Sequence, residues 1–458
     1  ALGYRGGGEL MSMKELGVVG RNVGQRDLES HARGQTTYYE DVHYPRMLHL
    51  KMHRSAEPHA RIVSVDTSAA EASPGVVCVL THEDLPGKKV WNGLAAVGVG
   101  PEDEPILAFD KVRWRGEPIV AVLGETAEAA RAGAARVKVE YDPLPGVFDV
   151  EEAIAGDAPA LTAHWPLNHY IYPDDHGAAQ IRFGDVEKGF AEADHIVEDK
   201  YQTSPIEQAP METNGCIAKP GGDGRITVHT NTQAVHFARD NTAAILDVAP
   251  GKLRFLGGTV GGGFGGKVDV AVEPISVLAA MRTGRPVKFK YTREEEMQVS
   301  STRSAWRLNI KDGVMDDGRI VARKITSYQD SGAYLRFSSY GSMKHAGHMP
   351  GPYTIPNVWV DARVVFTNRP PSSAMRGFGV MAASFAIELQ MDKVAKTIGM
   401  DPWQLRLLNA YRNGDMRAHR KVNEDAAMVE TIQAAAQLAG HELPAEYQAM
   451  TSWDRKAS

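Results

Sequence analysis

The stretch Gly257-Gly-Thr-Val-Gly261-Gly-Gly-Phe-Gly-Gly-Lys267 is the most informative in the chain. It follows the apolar segment Leu253-Arg-Phe-Leu256, which predicts a strand, and precedes a helical pattern over Val270–Arg282. Clustered glycines let a backbone come close to a bulky ligand and turn its N–H groups toward an anion. The stretch therefore predicts a ligand-binding turn between a strand and a helix of an α/β fold.

This glycine-rich turn has three competing interpretations. Gly261, Gly263 and Gly266 fit the G-x-G-x-x-G pattern of a dinucleotide-binding fold. However, the expected acidic residue about twenty positions on is missing, and the glycines do not lie in the first strand–helix turn of their region. An ordinary tight turn is the second interpretation. The third is a larger site, which requires a second glycine-rich element facing the first.

A second such element is Ser372-Ser-Ala-Met-Arg376-Gly-Phe-Gly-Val380. It precedes a predicted helix over Met381–Ile398, which Gly399 ends. Apolar residues expected largely on one face of this helix are Phe385, Met391, Val394, Ala395 and Ile398. An arginine among small residues at a helix start suits a phosphate or an oxo ligand, although a loop with a surface arginine is the alternative.

A third polar segment, Thr230–Phe237, lies at a predicted strand-to-helix junction, with the helix over Ala234–Leu246. Gln233 could hydrogen-bond a buried polar ligand there. His236 has no second histidine or carboxylate at ligand spacing, so we assign it no role. Upstream, Glu212 belongs either to a buried polar network or to an edge.

Composition limits the function classes. The 458 residues are 43% hydrophobic and 24% charged, with a formal net charge of -6, which argues against a nucleic-acid partner. We see no apolar run long enough for a membrane helix and no secretory signal near the start. The two cysteines, Cys78 and Cys216, predict buried reduced thiols and cannot hold an iron–sulfur cluster, which needs four ligands. We expect a cytoplasmic protein, and any electron-transfer cluster that serves it must lie on another polypeptide.

The order of predicted elements gives an α/β (α+β) fold. We expect an N-terminal arm at 1–33 that contains Gly6-Gly7-Gly8, an α/β module at 34–154, a linker at 155–189, a larger α/β region at 190–440 and a C-terminal tail at 441–458. In the larger region, Arg307–Val314 and Ile320–Asp330 flank Asp316-Asp-Gly318 and predict a β-hairpin.

Together these segments resemble the molybdopterin-binding domain of the xanthine dehydrogenase and aldehyde oxidase family, the molybdenum hydroxylases. The glycine-rich turn, Ala374-Met-Arg-Gly-Phe-Gly379 and the upstream Thr232-Gln233 match in order and spacing. Pro58-His-Ala-Arg-Ile62 resembles the family's hammerhead domain, which the resemblance places at 34–154. Gly351–Asn357 and Asp401–Arg406 resemble later landmarks. The likeness runs from about Gln35 to Ile432, and it implies the first half of a molybdopterin-binding domain at 190–440.

The resemblance implies roles for individual residues. Gln233 would hydrogen-bond the oxo group on molybdenum, and Arg376 would lie near the pterin. The metal would be held by the pterin dithiolene and by no protein ligand. The residues implied in cofactor binding are Gln233, Gly262, Gly263, Phe264, Gly265, Arg376 and Gly377. Those implied at the substrate are Phe264, Phe378 and Lys344, the first two as channel walls.

The chain departs from the family pattern at three positions. Val268 stands where xanthine-oxidising relatives have an acidic residue, with Asp269 one position later. Lys344 replaces an arginine that helps those relatives to bind purines, and Met375 stands where an aromatic is common. The first two departures argue against xanthine as the substrate.

No Gly-x-Gly-Glu stretch follows Arg376. In the family this stretch supplies the glutamate that deprotonates the metal hydroxide, a task that needs a positioned carboxylate. The resemblance therefore implies a split molybdenum subunit, as in nicotinate dehydrogenases, with the glutamate on a partner chain. It also implies a small [2Fe-2S] subunit, an FAD subunit and molybdopterin cytosine dinucleotide as the cofactor.

The implied reaction is hydroxylation of a C–H bond with oxygen from water. We expect an electron-poor N-heteroaromatic substrate such as a pyridine carboxylate, with an aldehyde as the alternative. Lys344 could hold the carboxylate or be a solvated surface charge. Two other classes stay open: a nicotinamide-dependent dehydrogenase and a non-catalytic scaffold. The scaffold is disfavoured because it has no need of Gln233, the glycine-rich turn and Arg376 together.

Overall fold

A computed structural model describes residues 21–174 and 176–454 of the chain. Most of the predicted N-terminal arm, including Gly6-Gly7-Gly8, and the last four residues of the predicted tail lie outside these ranges. The elements of the N-terminal third are α1 (Leu28–Ala32), β1 (Leu48–Arg54), β2 (Ala60–Asp66), α2 (Ser68–Glu71), β3 (Val76–Leu80), β4 (Val90–Trp91), β5 (Glu104–Pro105), β6 (Lys111–Val112), β7 (Pro118–Gly124), α3 (Ala127–Ala134), β8 (Lys138–Pro143) and α4 (Val150–Ala153).

The rest of the described chain continues the alternation of strands and helices. Its elements are β9 (Ala179–Phe183), α5 (Val186–Glu192), β10 (His195–Thr203), β11 (Gly215–Pro220), β12 (Ile226–Thr230), α6 (Val235–Ile245), β13 (Leu253–Gly257), α7 (Glu273–Thr283), β14 (Val287–Lys290), α8 (Arg293–Val299), β15 (Thr302–Arg303), β16 (Trp306–Val314), β17 (Ile320–Gly332), α9 (Ser338–His348), β18 (Val358–Phe366), β19 (Ser372–Ser373), α10 (Val380–Ile398), α11 (Pro402–Asn409), α12 (Met428–Leu438) and α13 (Ala445–Gln448).

The largest sheet joins the two predicted regions. Its seven strands run in the order β13-β12-β11-β14-β1-β7-β3, so strands from both regions share one sheet. β1 pairs in parallel with β14, with Leu48 opposite Val287, and antiparallel with β7 on its other side. β7 has no polar side chain between Ile119 and Gly124 and is buried there on both faces. Residues 34–154 are therefore fastened to the larger region by main-chain hydrogen bonds.

A second layer of the N-terminal third is the three-stranded sheet β6-β2-β8. It encloses a small apolar core with β7 and α3, in which Ala60, Val112, Val120 and Val122 are buried. Thr126 caps helix α3, since its hydroxyl oxygen accepts a hydrogen bond from the Ala129 N–H at 3.1 Å.

The five-stranded sheet has the order β10-β16-β17-β18-β9 and carries the largest core. The predicted hairpin is confirmed, because β16 and β17 pair antiparallel along their length. The prediction of a linker at 155–189 is wrong for its second half. β9 is the edge strand of this sheet, α5 begins at Val186, and the buried side chains of Tyr170 and Tyr172 belong to its core.

Helix α10 confirms the predicted element and its stop at Gly399, which has the left-handed φ of 70°. Met391, Val394 and Ala395 are buried as expected. The prediction that Phe385 lies on the same face is wrong. Phe385 is 45% exposed, because six residues from Met391 at 100° per residue place it on a different side of the helix.

The C-terminal segment packs against α12. Ser452 is fully buried and its N–H donates to Glu430 Oε1 at 2.8 Å, while the Gln433 amide donates to three carbonyls of 447–450. The predicted C-terminal tail at 441–458 is therefore packed against the rest of the chain up to residue 454. Within the described ranges no helix has the length and apolarity to cross a membrane.

Candidate active site

The two glycine-rich elements meet, as the larger-site interpretation requires. We call residues 257–267 the glycine loop and residues 372–380 the arginine loop. The backbone N–H of Arg376 donates to the carbonyl oxygen of Phe264 at 2.8 Å, and Gln208 Nε2 donates to the Ala374 carbonyl at 3.0 Å. At Gly265, with a φ of 101°, a Cβ would lie 2.6 Å from that same carbonyl oxygen. Only glycine allows the loops to approach this closely.

Gln233 lies against the glycine loop, just before α6. Its Oε1 accepts hydrogen bonds from the N–H groups of Gly265 at 2.8 Å and Lys267 at 3.3 Å. A Cβ on Gly263 would lie 2.5 Å from the Gln233 Cδ. The amide Nε2 has no acceptor among the described residues, and the residue is exposed. The oxygen thus fixes the side chain, and the NH₂ group is left as a donor.

Each loop presents backbone N–H groups that have no acceptor in the described parts of the chain. In the glycine loop these belong to Gly262, Gly263 and Phe264, and in the arginine loop to Gly377 and Phe378. Neighbouring N–H groups of this kind form a concave site for an anion or an oxo group. Both loops therefore offer donors where they join.

Phe264 occupies the tip of the glycine loop. Its φ of 51° is left-handed, which is uncommon for a residue with a bulky side chain. Its ring is 46% exposed. Phe378, in the arginine loop, packs on Tyr340 of α9, with ring centroids 6.0 Å apart. The site thus carries aromatic side chains on both loops.

The end of the glycine loop is held by a buried ion pair. Lys267 is 1% exposed, and its Nζ lies 3.1 Å from Glu212 Oε2. The same carboxylate oxygen accepts the Gly261 N–H at 2.8 Å, so Glu212 ties the middle of the loop to its C-terminal end. Burial lowers the pKa of Lys267, while the Glu212 charge opposes that shift. Glu212 is therefore a member of a buried polar network, the first of its two sequence interpretations.

The remaining predicted side chains are cations. Arg376 is exposed, and no carboxylate within the described ranges pairs with its guanidinium. Lys344 is exposed on α9, with its Nζ 5.3 Å from the centre of the Tyr340 ring. Tyr340 in turn contacts Phe378, so Lys344 lies two side-chain contacts away from the arginine loop. His236, given no role, is exposed.

Sequence reasoning missed the residues that brace the two loops from behind. Asp269 Oδ1 accepts a hydrogen bond from the Ser373 hydroxyl at 2.8 Å, and Asp269 Oδ2 lies 3.4 Å from Arg336. Arg336 in turn forms a two-point ion pair with Glu104 of the N-terminal third. The only signal was Asp269 itself, which we noted as displaced by one position.

A buried histidine supports the end of the arginine loop. His345 of α9 stacks on Trp306 with ring centroids 3.8 Å apart, and its Nδ1 donates to the Gly379 carbonyl at 2.8 Å. Burial lowers its pKa to about 4. Cys78 and Cys216 are both free thiols, and Cys216 is buried as predicted. Among the residues that the structure describes, no group of three His, Cys, Asp or Glu side chains could hold a metal ion.

Comparison with known families decides between the interpretations of the glycine loop. Residues 33–145 match the a/b hammerhead domain of aldehyde oxidase and xanthine dehydrogenase, and residues 169–410 match the molybdopterin cofactor-binding domain. The chain belongs to the xanthine dehydrogenase family. Its glycine loop is therefore part of a molybdopterin-binding domain and not of a Rossmann dinucleotide fold. The predicted fold, a hammerhead domain followed by a molybdopterin-binding domain, is confirmed.

Individual members of the xanthine dehydrogenase family match over most of the chain. It is 36% identical to the nicotinate dehydrogenase large molybdopterin subunit of Eubacterium barkeri, over 93% of this chain and 97% of that subunit. The structure superposes on an aldehyde oxidoreductase from Desulfovibrio gigas with a TM-score of 0.85 and 32% identity. It superposes on quinoline 2-oxidoreductase from Pseudomonas putida 86 with a TM-score of 0.81 and 25% identity. The chain covers about half of each of these two solved structures, 47% and 54%.

Proposed function

We propose that this chain is the molybdenum-cofactor-binding part of a multi-subunit hydroxylase that inserts oxygen from water into a C–H bond of an N-heteroaromatic, nicotinate-like substrate. The observation that carries the proposal is the junction of the two loops. There the free NH₂ of Gln233, five backbone N–H groups without an acceptor in the described chain and the unpaired Arg376 come together. Hydrogen-bond donors and a cation that are brought together in this way suit a pterin and an oxo ligand.

The residues present fit such a cofactor. Gln233 Nε2 would donate to an oxo group, while its Oε1 stays bonded to Gly265 and Lys267. Further donors would be the N–H groups of the glycine and arginine loops at Gly262, Gly263, Phe264 and Gly377. When bound, the molybdenum–pterin group supplies the oxygen-transfer and two-electron chemistry of hydroxylation. Arg376 would balance the negative charge of the pterin, whose form we propose to be the cytosine dinucleotide.

The substrate is proposed from the side chains around the arginine loop. Phe264 is exposed, and Phe378 packs on Tyr340, so planar rings are available for stacking on an aromatic substrate. Lys344 would hold a carboxylate. Relatives named nicotinate dehydrogenase and quinoline 2-oxidoreductase support an N-heteroaromatic. An aldehyde is the alternative, supported by the likeness to aldehyde oxidoreductase.

The general base is proposed to lie on a partner chain, as a glutamate in a Gly-x-Gly-Glu stretch. Support comes from the match over 97% of a protein named a large molybdopterin subunit, a name that implies further subunits. Electrons would pass to a [2Fe-2S] subunit and then to an FAD subunit, since two cysteines cannot hold a cluster. We propose a cytoplasmic complex, in keeping with two unpaired thiols.

Metal and pterin analysis of the complex, purified through a tag on this chain from cells that make the cofactor, tests the proposal. We expect molybdenum, a pterin nucleotide, and a co-purifying chain with a Gly-x-Gly-Glu segment in its mass spectrum. Turnover of N-heterocycles would then be compared with turnover of aldehydes by the same preparation. A pure single chain without molybdenum would contradict the proposal and favour the scaffold interpretation, and turnover of aldehydes alone would favour the alternative substrate.

A further inference from the structure

The middle of the seven-stranded sheet carries basic side chains on one face. In β1, Leu48, Leu50 and Met52 enter the core, and the alternate residues His49 and Lys51 lie on the opposite face. In the neighbouring β14, Val287 and Phe289 are in the core, while Lys288 pairs with His49 in the register and Lys290 follows it. Central strands normally carry apolar residues on a covered face, so this pattern needs a reason.

These side chains line an open groove of about 570 Å³. Helix α3 forms one side of the groove with Ala127, Glu128 and Arg131, and it packs on β1 beyond the groove, where His53 Nδ1 donates to the Ala134 carbonyl at 2.9 Å. The other side of the groove is formed by residues 211–213 and 291–293. We call it the basic groove, and its cationic lining is Lys51, Arg131, Lys288, Lys290 and Arg293, against the two carboxylates Glu40 and Glu128.

Three of these cations, Lys288, Arg131 and Arg293, form no ion pair among the described residues. The charges of Glu40 and Asp41 act on Lys288, and that of Glu128 acts on Arg131. Lys51 pairs with Glu295 and Lys290 with Glu40, but Lys288 donates only to the Glu40 carbonyl and Arg293 only to the carbonyls of Pro210 and Met211. Arg131 is exposed on α3 without an ion pair. Burial, and after it the charge of Lys288, lowers the pKa of His49. Positive charge is thus concentrated here on a chain whose net charge is -6.

The groove also has an apolar rim. Met211 lies in its lining and is 95% exposed. Its neighbour Glu212 contacts Gly261 and Lys267 of the glycine loop, so the groove and the candidate active site share the segment 210–213. A small anion would use the cations alone, whereas an exposed methionine beside them is typical of a surface that contacts another protein.

We propose that the basic groove docks an acidic segment of a partner subunit, so that the partner sits against the segment that anchors the glycine loop. The proposal rests on the multi-subunit function proposed above. Carboxylates of the partner would approach Arg131, Lys288, Lys290 and Arg293, and Met211 would be buried at the contact. Residues 1–20 are the alternative occupant within this chain, but Arg5, Glu9, Lys14 and Glu15 leave that segment without a net acidic charge.

The test is charge reversal in the purified complex. Arg131→Glu with Lys290→Glu changes two exposed residues of the groove, and Lys138→Glu with Lys396→Glu is the matched control at exposed sites elsewhere. We expect the groove variant to weaken retention of one partner chain about tenfold or more and to lower the salt concentration at which it dissociates. The control should behave as the wild type, and Arg131→Lys with Lys290→Arg should restore retention.

Mass spectrometry, with iron and molybdenum per tagged chain, separates the outcomes. Loss of a partner chain only in the groove variant supports the proposal, whichever metal is lost with it. Unchanged retention overturns it, as does an equal loss when residues 1–20 are deleted. Binding of inorganic phosphate in calorimetry, with retention of every partner unchanged by charge reversal, also overturns it and leaves a small-anion site. A wild-type complex that holds its partners but no molybdenum would contradict the proposed function and not the docking.

Discussion

The N–H of Arg376 donates a 2.8 Å hydrogen bond to the carbonyl oxygen of Phe264, and this bond joins two loops that are far apart in sequence. Phe264 belongs to the glycine loop, which precedes α7, and Arg376 belongs to the arginine loop, which precedes α10. The bond fixes the relative position of Gln233, which is anchored to the glycine loop, and of the arginine loop that carries Phe378.

Replacing Gly265 with alanine should open the junction. The added Cβ would lie 2.6 Å from the Ala374 carbonyl oxygen, at a φ of 101° that side chains rarely adopt. We expect a cost of at least about 1–3 kcal/mol in the free energy of unfolding, together with loss of bound molybdenum. Gly258→Ala, where nothing lies within 4 Å of the new Cβ, is the control. Equal denaturation midpoints for the two variants would show that the close approach is unimportant.

Removing the charge of Lys267 should destabilise the chain strongly. Lys267→Met leaves Glu212 buried without its partner, which typically costs about 3–5 kcal/mol. The matched control is Lys324→Met, which breaks the exposed pair with Glu187 and should cost less than about 1 kcal/mol. Urea denaturation of both variants measures the difference. Since Glu212→Gln removes the orphaned charge, the double variant should recover part of the loss.

Gln233→Glu removes the donor atom of this side chain and keeps its acceptor atom. The carboxylate can still accept from Gly265 and Lys267, but the NH₂ donor is gone. We expect a stable protein whose turnover falls about 100-fold, the usual effect of losing one preorganised donor. Gln233→Ala should lower both turnover and the unfolding temperature, because it also releases the glycine loop. If the Gln233→Glu variant had the turnover of the wild type, Gln233 Nε2 would have no role in the reaction.

Lys344→Met tests the proposed carboxylate contact. If Lys344 holds the substrate carboxylate, the variant should raise KM for a pyridine carboxylate about tenfold or more and leave KM for an uncharged N-heterocycle unchanged. Lys396→Met, at an exposed position near the end of α10, is the control. Steady-state kinetics with both substrates measure the effect. An equal change for the charged and uncharged substrates would mean that Lys344 is a solvated surface charge.

His345 should make stability depend on pH. Its pKa is lowered to about 4 in the folded chain, from the ordinary 6.5, by burial. The unfolded chain therefore binds more protons as pH falls from 6.5 toward 4, and stability is lost over that window. From pH 7 to pH 5 we expect this histidine to cost about 2 kcal/mol. His345→Gln should remove that difference in denaturation experiments, whereas the exposed His236→Gln should retain it.

Local patterns predicted individual elements well. The helix at Val380–Ile398 and the hairpin around Asp316-Asp-Gly318 are marked by nearby residues, a glycine stop and a turn. The pairing of β1 with β14 was not predicted, because strands so distant in sequence leave no local signal of their contact. The edge strand β9 was taken for a linker for the same reason, since its partner β18 comes much later.

The part of the candidate site that was predictable from the sequence is the part formed by the two glycine-rich loops. Glycines at Gly262 and Gly265 and the arginine at 376 are recognisable by residue type and spacing. The supports were not, because a buried pair such as Glu212 and Lys267 or a brace such as Asp269 and Ser373 exists only once the fold brings the partners together. Phe385 was misplaced by counting apolar residues without following their angle around the helix.

The position of β1 between β7 and β14 bears on how the polypeptide matures and on how it can be divided. During synthesis β1, β7 and β3 emerge long before β14. Until β14 is made, the edge of β1 that will pair with it has no hydrogen-bonding partner. In a fragment that ends at residue 154, this edge of β1 would stay unpaired. In a fragment that begins after residue 154, the edge of β14 would be unpaired instead. Unpaired edges of central strands form hydrogen bonds with strands of other molecules, so we expect both fragments to aggregate.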